Sequence, residues 1–406
     1  MNRPALLDLD TALAQLLALA ESPDPAAVEH LPTAEALDRV LASPQVSQLD
    51  VPPMDNAQMD GWALRIADLE RAGGMPVSQR IPAGAVPQPL EPGTVARIFT
   101  GATVPDGADA VVMQEHARLE GDRVHIDATP SAGEWIRRAG EDIRRGSTVL
   151  QAGTRLTPQA LGLAASVGLA TLPVQPRLRV ACFFTGNELA MPGEPLAPGA
   201  IYNSNRFVLT ALLARLGCTV IDLGIVPDSL EATRAALRRA AADADLIVTS
   251  GGVSVGEEDH VKPALQAEGE LRTWQIAIKP GKPLAWGRVR RERGHAHFIG
   301  LPGNPVSSFV TFLLFVRPFV RRLQGETDRA PRTLQLRADF DWPRPDARRE
   351  FLRARLNDAG GLDLFPNQGS AVLTSTVWAD GLIDTPPRQP IVRGDVVRFL
   401  PFSELM

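Results

Sequence analysis

Leu246 to His260 reads LIVTSGGVSVGEEDH, a strand pattern that runs into small residues and then acids. Leu246-Ile247-Val248 is a short, largely β-branched apolar run, the pattern of a buried strand. Thr249, Ser250, Gly251 and Gly252 follow at once, and glycines there let the backbone turn sharply and let a ligand approach the main chain. Ser254 and Gly256 continue the small residues, and Glu257, Glu258 and Asp259 add three carboxylates. Open α/β sheets bind ligands at the carboxyl ends of their strands, where such turns lie. A tight turn with a solvated acidic tip accounts for the same letters, and the stretch alone does not separate the two readings. It is neither GxGxxG nor GxxxxGK[ST], so neither a dinucleotide site nor a P-loop is implied.

On both sides of this stretch, residues 178–325 alternate between strand and helix patterns. Strands are expected at Leu178–Phe184, Thr219–Leu223, Leu246–Val248, Thr273–Ile278 and His297–Gly300, with helices at Asn205–Leu216, Leu230–Ala242 and Val306–Leu323. This alternation predicts a doubly wound, mostly parallel α/β sheet with right-handed crossovers. Toward the N-terminus, Leu6–Ala20 has helical spacing with Asp8 or Asp10 placed to cap it, Thr33–Leu41 reads as a second short helix, and Leu49–Ala63 reads as a structured loop. Residues 77–142 show short strands and turns without a helical period, which predicts a small β domain, and Thr157–Val167 reads as a helix. After a break at Thr327–Thr333 the tail to Met406 is strand and turn again, a second small β domain.

A chain of 406 residues exceeds one ordinary core, and 44% hydrophobic with 22% charged residues is a globular composition. The net charge of −5 gives no general nucleic-acid footprint. Cys182 and Cys218 stand in apolar surroundings without metal spacing, which fits a reducing compartment. The N-terminus lacks a basic region followed by an apolar core, and no apolar run reaches the ~18 residues of a membrane span. The expectation is a cytoplasmic protein with no membrane and no nucleic-acid partner.

Glu188, Asp228, Asp259 and the pair Lys279/Lys282 each follow an expected strand, so they are expected along one rim of the sheet. Carboxylates gathered at one edge call for a divalent cation or basic groups, and oxygen donors alone favour Mg²⁺ over zinc. Lys279 and Lys282 bracket a Pro-Gly turn and suit a phosphate or another oxyanion. Ile136–Arg145 (IRRAGEDIRR) reads either as a solvated charged turn or as an anion-binding cluster, with Arg137 its binding candidate. No GxSxG or Cys–His pattern points to nucleophilic hydrolysis.

These residues fall into an ordered set: PPMDNAQMDGWALR (52–65), FTGATVPDGADAVVMQE (99–115), IRRAGEDI (136–143), FFTGNEL (183–189), TSGGVSVGEEDH (249–260), IKPGKPLAWG (278–287) and GLPGNPVSS (300–308). Over essentially its whole length the chain resembles the molybdopterin molybdenumtransferase family, the MoeA-type enzymes related to the C-terminal domain of gephyrin. The resemblance implies an elongated homodimer of four domains: residues 1–25 with 178–327 as the α/β molybdopterin-binding domain, 26–50 with 144–177 as a split linker domain, 51–143 as a small β domain, and 328–406 as the C-terminal β domain. It also implies insertion of molybdenum from molybdate into adenylylated molybdopterin, with Mg²⁺ and release of AMP, and contact with other cofactor-biosynthesis enzymes.

The roles implied by the resemblance are specific. Asp60, Asp142, Glu188, Asp228 and Asp259 would position Mg²⁺ or orient the pterin and phosphoanhydride, with Glu188, Asp228 and Asp259 as metal ligands. Gly251, Gly252 and Ser254 would offer donors to the pterin phosphate. Lys279 and Lys282 would hold molybdate, and Pro302 and Pro305 would stiffen the loop beside them. Ser307, Arg353 and Ser370 are further molybdate-site candidates. Asp60, Thr100 and Asp142 would reach the cleft from the second subunit. Two departures replace a carboxylate by an amide: Asn187 where the family usually reads TGDE, and Asn203 where it usually reads YDTN. The rival readings are a molybdopterin adenylyltransferase and a non-catalytic scaffold.

Overall fold

The computed structural model describes residues 6–21, 23–69, 73–252, 260–327 and 330–406. Ser254 and Asp259 therefore lie outside the described residues. The chain divides into two compact units, one of residues 30–37 and 43–173, the other of residues 1–29, 38–42 and 174–406.

Helix α1 (Leu9–Leu17) starts where Asp8 accepts a hydrogen bond from the Thr11 N–H at 2.9 Å, and it buries Leu9, Ala12 and Leu16. The 43–173 unit is built on a six-stranded sheet of β1 (Gly61–Leu64), β2 (Met75–Ile81), β3 (Val95–Ile98), β4 (Ala110–Met113), β5 (Ala117–Glu120) and β6 (Arg123–Ile126), in the order β4-β1-β3-β2-β6-β5. One corner of this unit departs from the expected loop at Leu49–Ala63. Asn56–Ala57 pairs with Ile136–Arg137, and Gly61–Leu64 is an inner strand of the sheet. The expected helix over Thr33–Leu41 is also absent. Only a 3₁₀ turn at Thr33–Glu35 forms, because Thr33 is tied by its N–H to Ala170 and by its hydroxyl to Leu169, and Asp38 takes a positive φ of 61°. Helix α2 (Pro158–Ser166) forms as expected behind its Thr157 cap.

The second unit opens with β7 (Arg179–Thr185), α3 (Ser204–Arg215), β8 (Thr219–Val226), α4 (Leu230–Asp243) and β9 (Leu246–Ser250). After α5 (Val261–Glu268) come β10 (Gly269–Gln275), β11 (Ile278–Lys279), β12 (Pro283–Arg290), β13 (His295–Leu301), α6 (Pro305–Thr311), a π-helical turn at Phe312–Val316 and α7 (Arg317–Leu323). The sheet order is β8-β7-β9-β13-β12-β10. The β8, β7, β9 and β13 pairings are parallel, whereas β12 and β10 add antiparallel. Pro283–Arg290 was not expected as a strand; with His295–Leu301 it forms a hairpin around Gly294, whose φ is +79°.

Strand alternation sends neighbouring residues to opposite faces. Val180, Cys182, Phe184, Leu246, Val248, Ile299 and Leu301 pack on the side that holds α1, α3, α6 and α7, while Ala181, Phe183, Ile247, Ala296 and Phe298 pack against α4 and α5. The C-terminal strands β14 (Leu334–Arg337), β15 (Arg349–Leu356), β16 (Leu362–Leu364), β17 (Gly381–Thr385) and β18 (Val396–Pro401) make another mixed sheet. It takes β11 as its edge, paired parallel to β15 at Ile278–Arg349 and Lys279–Glu350. Phe351, Leu382, Leu400, Phe402 and Leu405 enter the same core as α1 and α7. Among the described residues no helix is long and apolar enough to cross a membrane.

Candidate active site

Strand β9 is buried throughout, and the chain leaves it through Gly251 at φ +97°. A Cβ at Gly251 would lie 2.6 Å from the Thr185 carbonyl oxygen, so only glycine lets the loops after β7 and β9 come this close. Ser250, 3% exposed, donates to the Pro302 carbonyl at 2.9 Å and accepts from Asn205 Nδ2 at 2.8 Å. Asn205 Nδ2 also reaches the Gly303 carbonyl at 2.8 Å. The first turn of α3 thereby fastens the loops after β9 and β13. The cap of that helix is Asn203, which is buried and accepts from the Arg206 N–H at 3.1 Å.

These loops border a cleft of about 1090 Å³. Glu188 and Asp228, on the loops after β7 and β8, line it, as do Thr185, Ser250, Gly251 and Gly252. Thr185 Oγ1 and Thr249 Oγ1 are buried without a hydrogen-bond partner among the described residues. The Gly251 N–H is committed to the Leu301 carbonyl at 3.2 Å. Lys279, Lys282, Pro302, Pro305 and Ser307 border the same space, and Arg348, Gln368 and Ser370 close it from the C-terminal sheet.

The lysines reach the cleft by a different route from the one expected. Lys279 does not follow a strand of the central parallel sheet; it ends β11, which belongs to the C-terminal sheet. Its ammonium lies 3.1 Å from Glu350 Oε1 and 3.4 Å from Asp346 Oδ2. Glu350 is 1% exposed and also accepts from Trp342 Nε1 at 2.9 Å and the Asp346 N–H at 2.8 Å. Asp346 is gripped by the Arg348 fork at 2.9 and 3.0 Å, and these bonds hold its carboxyl well below the usual carboxylate range. Lys282 has no ion-pair partner among the described residues. The turn between them needs Gly281, at φ +108°, where a Cβ would overlap Thr311 Oγ1.

Arg353 stands behind the wall rather than in it. It is 1% exposed, and burial pushes its guanidinium down to about 10. It donates to Ser375 Oγ and to the Phe351 and Gly369 carbonyls, while its own N–H donates to Gln368 Oε1 at 2.9 Å. Its place is to hold the 367–370 loop, which Ser370 ties to α6 by accepting from the Val306 N–H at 2.9 Å. Asp60, Thr100, Arg137 and Asp142 belong to the other unit. There Asp60 accepts from both the N–H and the hydroxyl of Thr100, at 2.8 and 2.7 Å, which lowers its carboxyl pKa. Arg137 and Asp142 are exposed. Of the two amide departures, Asn203 is the helix cap just described, and Glu188 rather than Asn187 borders the cleft. Sequence reading missed Asn205, Arg348 and Gln368; the last two lie on stretches whose neighbours only the folded sheet reveals.

A doubly wound α/β unit thus carries oxygen donors and lysines around one cleft at the carboxyl edge of its sheet. Residues 7–168 match the model of the MoeA N-terminal region (domain I and II), residues 181–322 that of a probable molybdopterin binding domain, and residues 335–402 that of the MoeA C-terminal region (domain IV). The chain is 38% identical to the molybdopterin molybdenumtransferase of Haemophilus influenzae, over 99% of this chain and 100% of that protein. Identity to molybdopterin molybdenumtransferase 2 of Mycobacterium tuberculosis is 40%, covering 88% and 90% of the two chains. The structure of a molybdopterin biosynthesis MoeA protein from Pyrococcus horikoshii superposes with a TM-score of 0.79 at 30% identity, over 98% and 99% of the two chains. The chain belongs to the MoeA family, the molybdopterin molybdenumtransferases.

Proposed function

We propose that the cleft binds adenylylated molybdopterin together with molybdate, and that molybdenum passes to the pterin as the phosphoanhydride is cleaved and AMP leaves. The observation that carries this reading is the lining of the cleft, which brings Glu188 and Asp228, from the loops after β7 and β8, together with Lys279, at the end of β11, and Lys282, in the turn before β12. A ligand with two anionic parts, one of which brings a cation, suits such a space. Lys282, without an internal partner among the described residues, offers its ammonium to molybdate. Lys279 is held in place by Glu350 and Asp346 and offsets charge developing on the anhydride. Because the Gly251 N–H is already engaged, a backbone contact to phosphate falls to the next residue, Gly252.

Mg²⁺ fits the donor set, since Glu188 and Asp228 supply hard oxygens and, among the described residues, neither histidine nor cysteine borders the cleft. When bound there it would neutralise charge on the phosphates. Asp259 is the third ligand in this reading. We further infer a homodimer in which Asp60, Thr100 and Asp142 serve the cleft of the second copy, the four-domain division given above, and a cytoplasmic setting, which the buried free thiols of Cys182 and Cys218 favour.

Adenylyl transfer to molybdopterin is the competing activity, and the C-terminal residues Arg348, Gln368 and Ser370 at the cleft speak for the molybdenum step instead. Purified protein given adenylylated molybdopterin, Mg²⁺ and molybdate should release AMP only when molybdate is present. AMP release that ignores molybdate contradicts the proposal. Consumption of ATP with unadenylylated molybdopterin and release of pyrophosphate would establish the competitor.

A further inference from the structure

Strand β13 ends at the cleft, but its first residues lie about 20 Å away at the other end of the sheet, at roughly 3.3 Å per residue. His295 and His297 are two apart and so project on one face. Their rings meet edge to face with centroids 5.0 Å apart, and His297 packs in the same way on Phe319 at 5.2 Å. Glu21, just beyond α1, brings Oε1 to 3.4 Å from His295 Nε2. One ligand atom from each of Glu21, His295 and His297 lies within 4.8 Å of the others.

Two features distinguish this cluster from an ordinary ion pair. His297 is 5% exposed and its Nδ1 is buried with no hydrogen-bond partner among the described residues, a costly state for an imidazole nitrogen. Two ligand atoms on one tetrahedral zinc, each at about 2.0–2.1 Å, stand roughly 3.3 Å apart. The spacing of Glu21 to His295 is already of that size. We infer that Glu21, His295 and His297 form a site for a transition-metal dication of the zinc type, separate from the substrate cleft. Nitrogen donors select such an ion over Mg²⁺.

Burial holds His297 in the neutral, ligand-competent form, its pKa pushed down to about 4. The standing competitor is Arg288, whose Nη2 lies 3.3 Å from the same Glu21 oxygen; Arg291 and Glu270 are the other charges that act on His295. The Glu21 side chain is 63% exposed, which leaves room for its second oxygen to turn to the ion once Arg288 is displaced. A bound ion would pin the segment after α1 to the β12–β13 hairpin.

Metal-stripped full-length protein, kept in excess Mg²⁺ to occupy carboxylates at the cleft, is titrated with ZnCl₂ by calorimetry and with Co²⁺ by visible absorption. The expected result is one ion per chain, a four-coordinate Co²⁺ spectrum and a higher unfolding temperature. Glu21→Gln and His295→Gln, at partly exposed positions, should each weaken binding by about 100-fold while leaving circular dichroism and molybdenum transfer unchanged. Absence of zinc-dependent heat in the wild type, or stoichiometric binding undiminished in both variants, would overturn the site.

Discussion

Lys279 and Lys282 are separated by only a Pro-Gly turn, yet their surroundings differ. Lys279 neutralises a buried Glu350, whereas Lys282 faces the cleft without an ion pair among the described residues. Lys282→Met should therefore lower molybdenum transfer by about 10²–10³-fold, the scale of losing one preorganised electrostatic contact, with no change in melting temperature. Lys279→Met should lower both, because it strands the Glu350 carboxylate; equal melting curves for the two variants would contradict this division. Asp346 gives a pH test. Its pKa is depressed by the Arg348 fork, so the stabilisation it contributes is present above the ordinary carboxylate value of about 3.9 and is lost as pH falls through the lower folded value. The Asp346 carboxyl resonance should stay in its ionised position down to pH about 3.9. A midpoint at or above that value would show that the fork is not formed.

At the scale of elements, the turn of β11 into the cleft depends on one glycine. Gly281→Ala puts a side chain at φ +108° against Thr311, so it should destabilise by about 1–3 kcal/mol and misplace both lysines. Thermal melts together with transfer assays check this, and a variant with wild-type stability and rate would refute it. Such a turn also marks how far the sequence could be read. Strand β9 and its neighbours β7, β8 and β13 were legible because mainly apolar runs gave way to short turns of glycine, proline and polar residues, which is a local pattern. The pairing of β11 with β15 was not, because Lys279 and Glu350 are distant in sequence and only their register joins them. The helix expected at Thr33–Leu41 failed for a similar reason: its apolar spacing was real, but hydrogen bonds from Thr33 to Leu169 and Ala170 outweighed it. Arg353 shows the same limit at the site. The sequence shows an arginine near a candidate loop, whereas its bonds to Ser375, Phe351 and Gly369 show a side chain that supports the wall from behind.

On the scale of the whole molecule, Asp60 and Thr100 form a tight pair in one unit while Glu188 and Asp228 border the cleft in the other. If the homodimer shares its sites, Asp60→Asn and Asp228→Asn should each be inactive alone, and mixed dimers should regain activity at the one cleft that carries neither change. Failure of the mixture to recover, with mixed dimers demonstrated, would place each complete site within a single chain. Transfer of molybdenum onto a pterin in this cleft is read from the metal content of the product. Adenylylated molybdopterin, Mg²⁺ and molybdate are incubated with the wild-type protein or with Lys282→Met, and molybdenum is measured in the isolated pterin fraction. Stoichiometric molybdenum with the wild type and little with the variant is the predicted result. A metal-free pterin from the wild-type reaction, with AMP released or not, would contradict it.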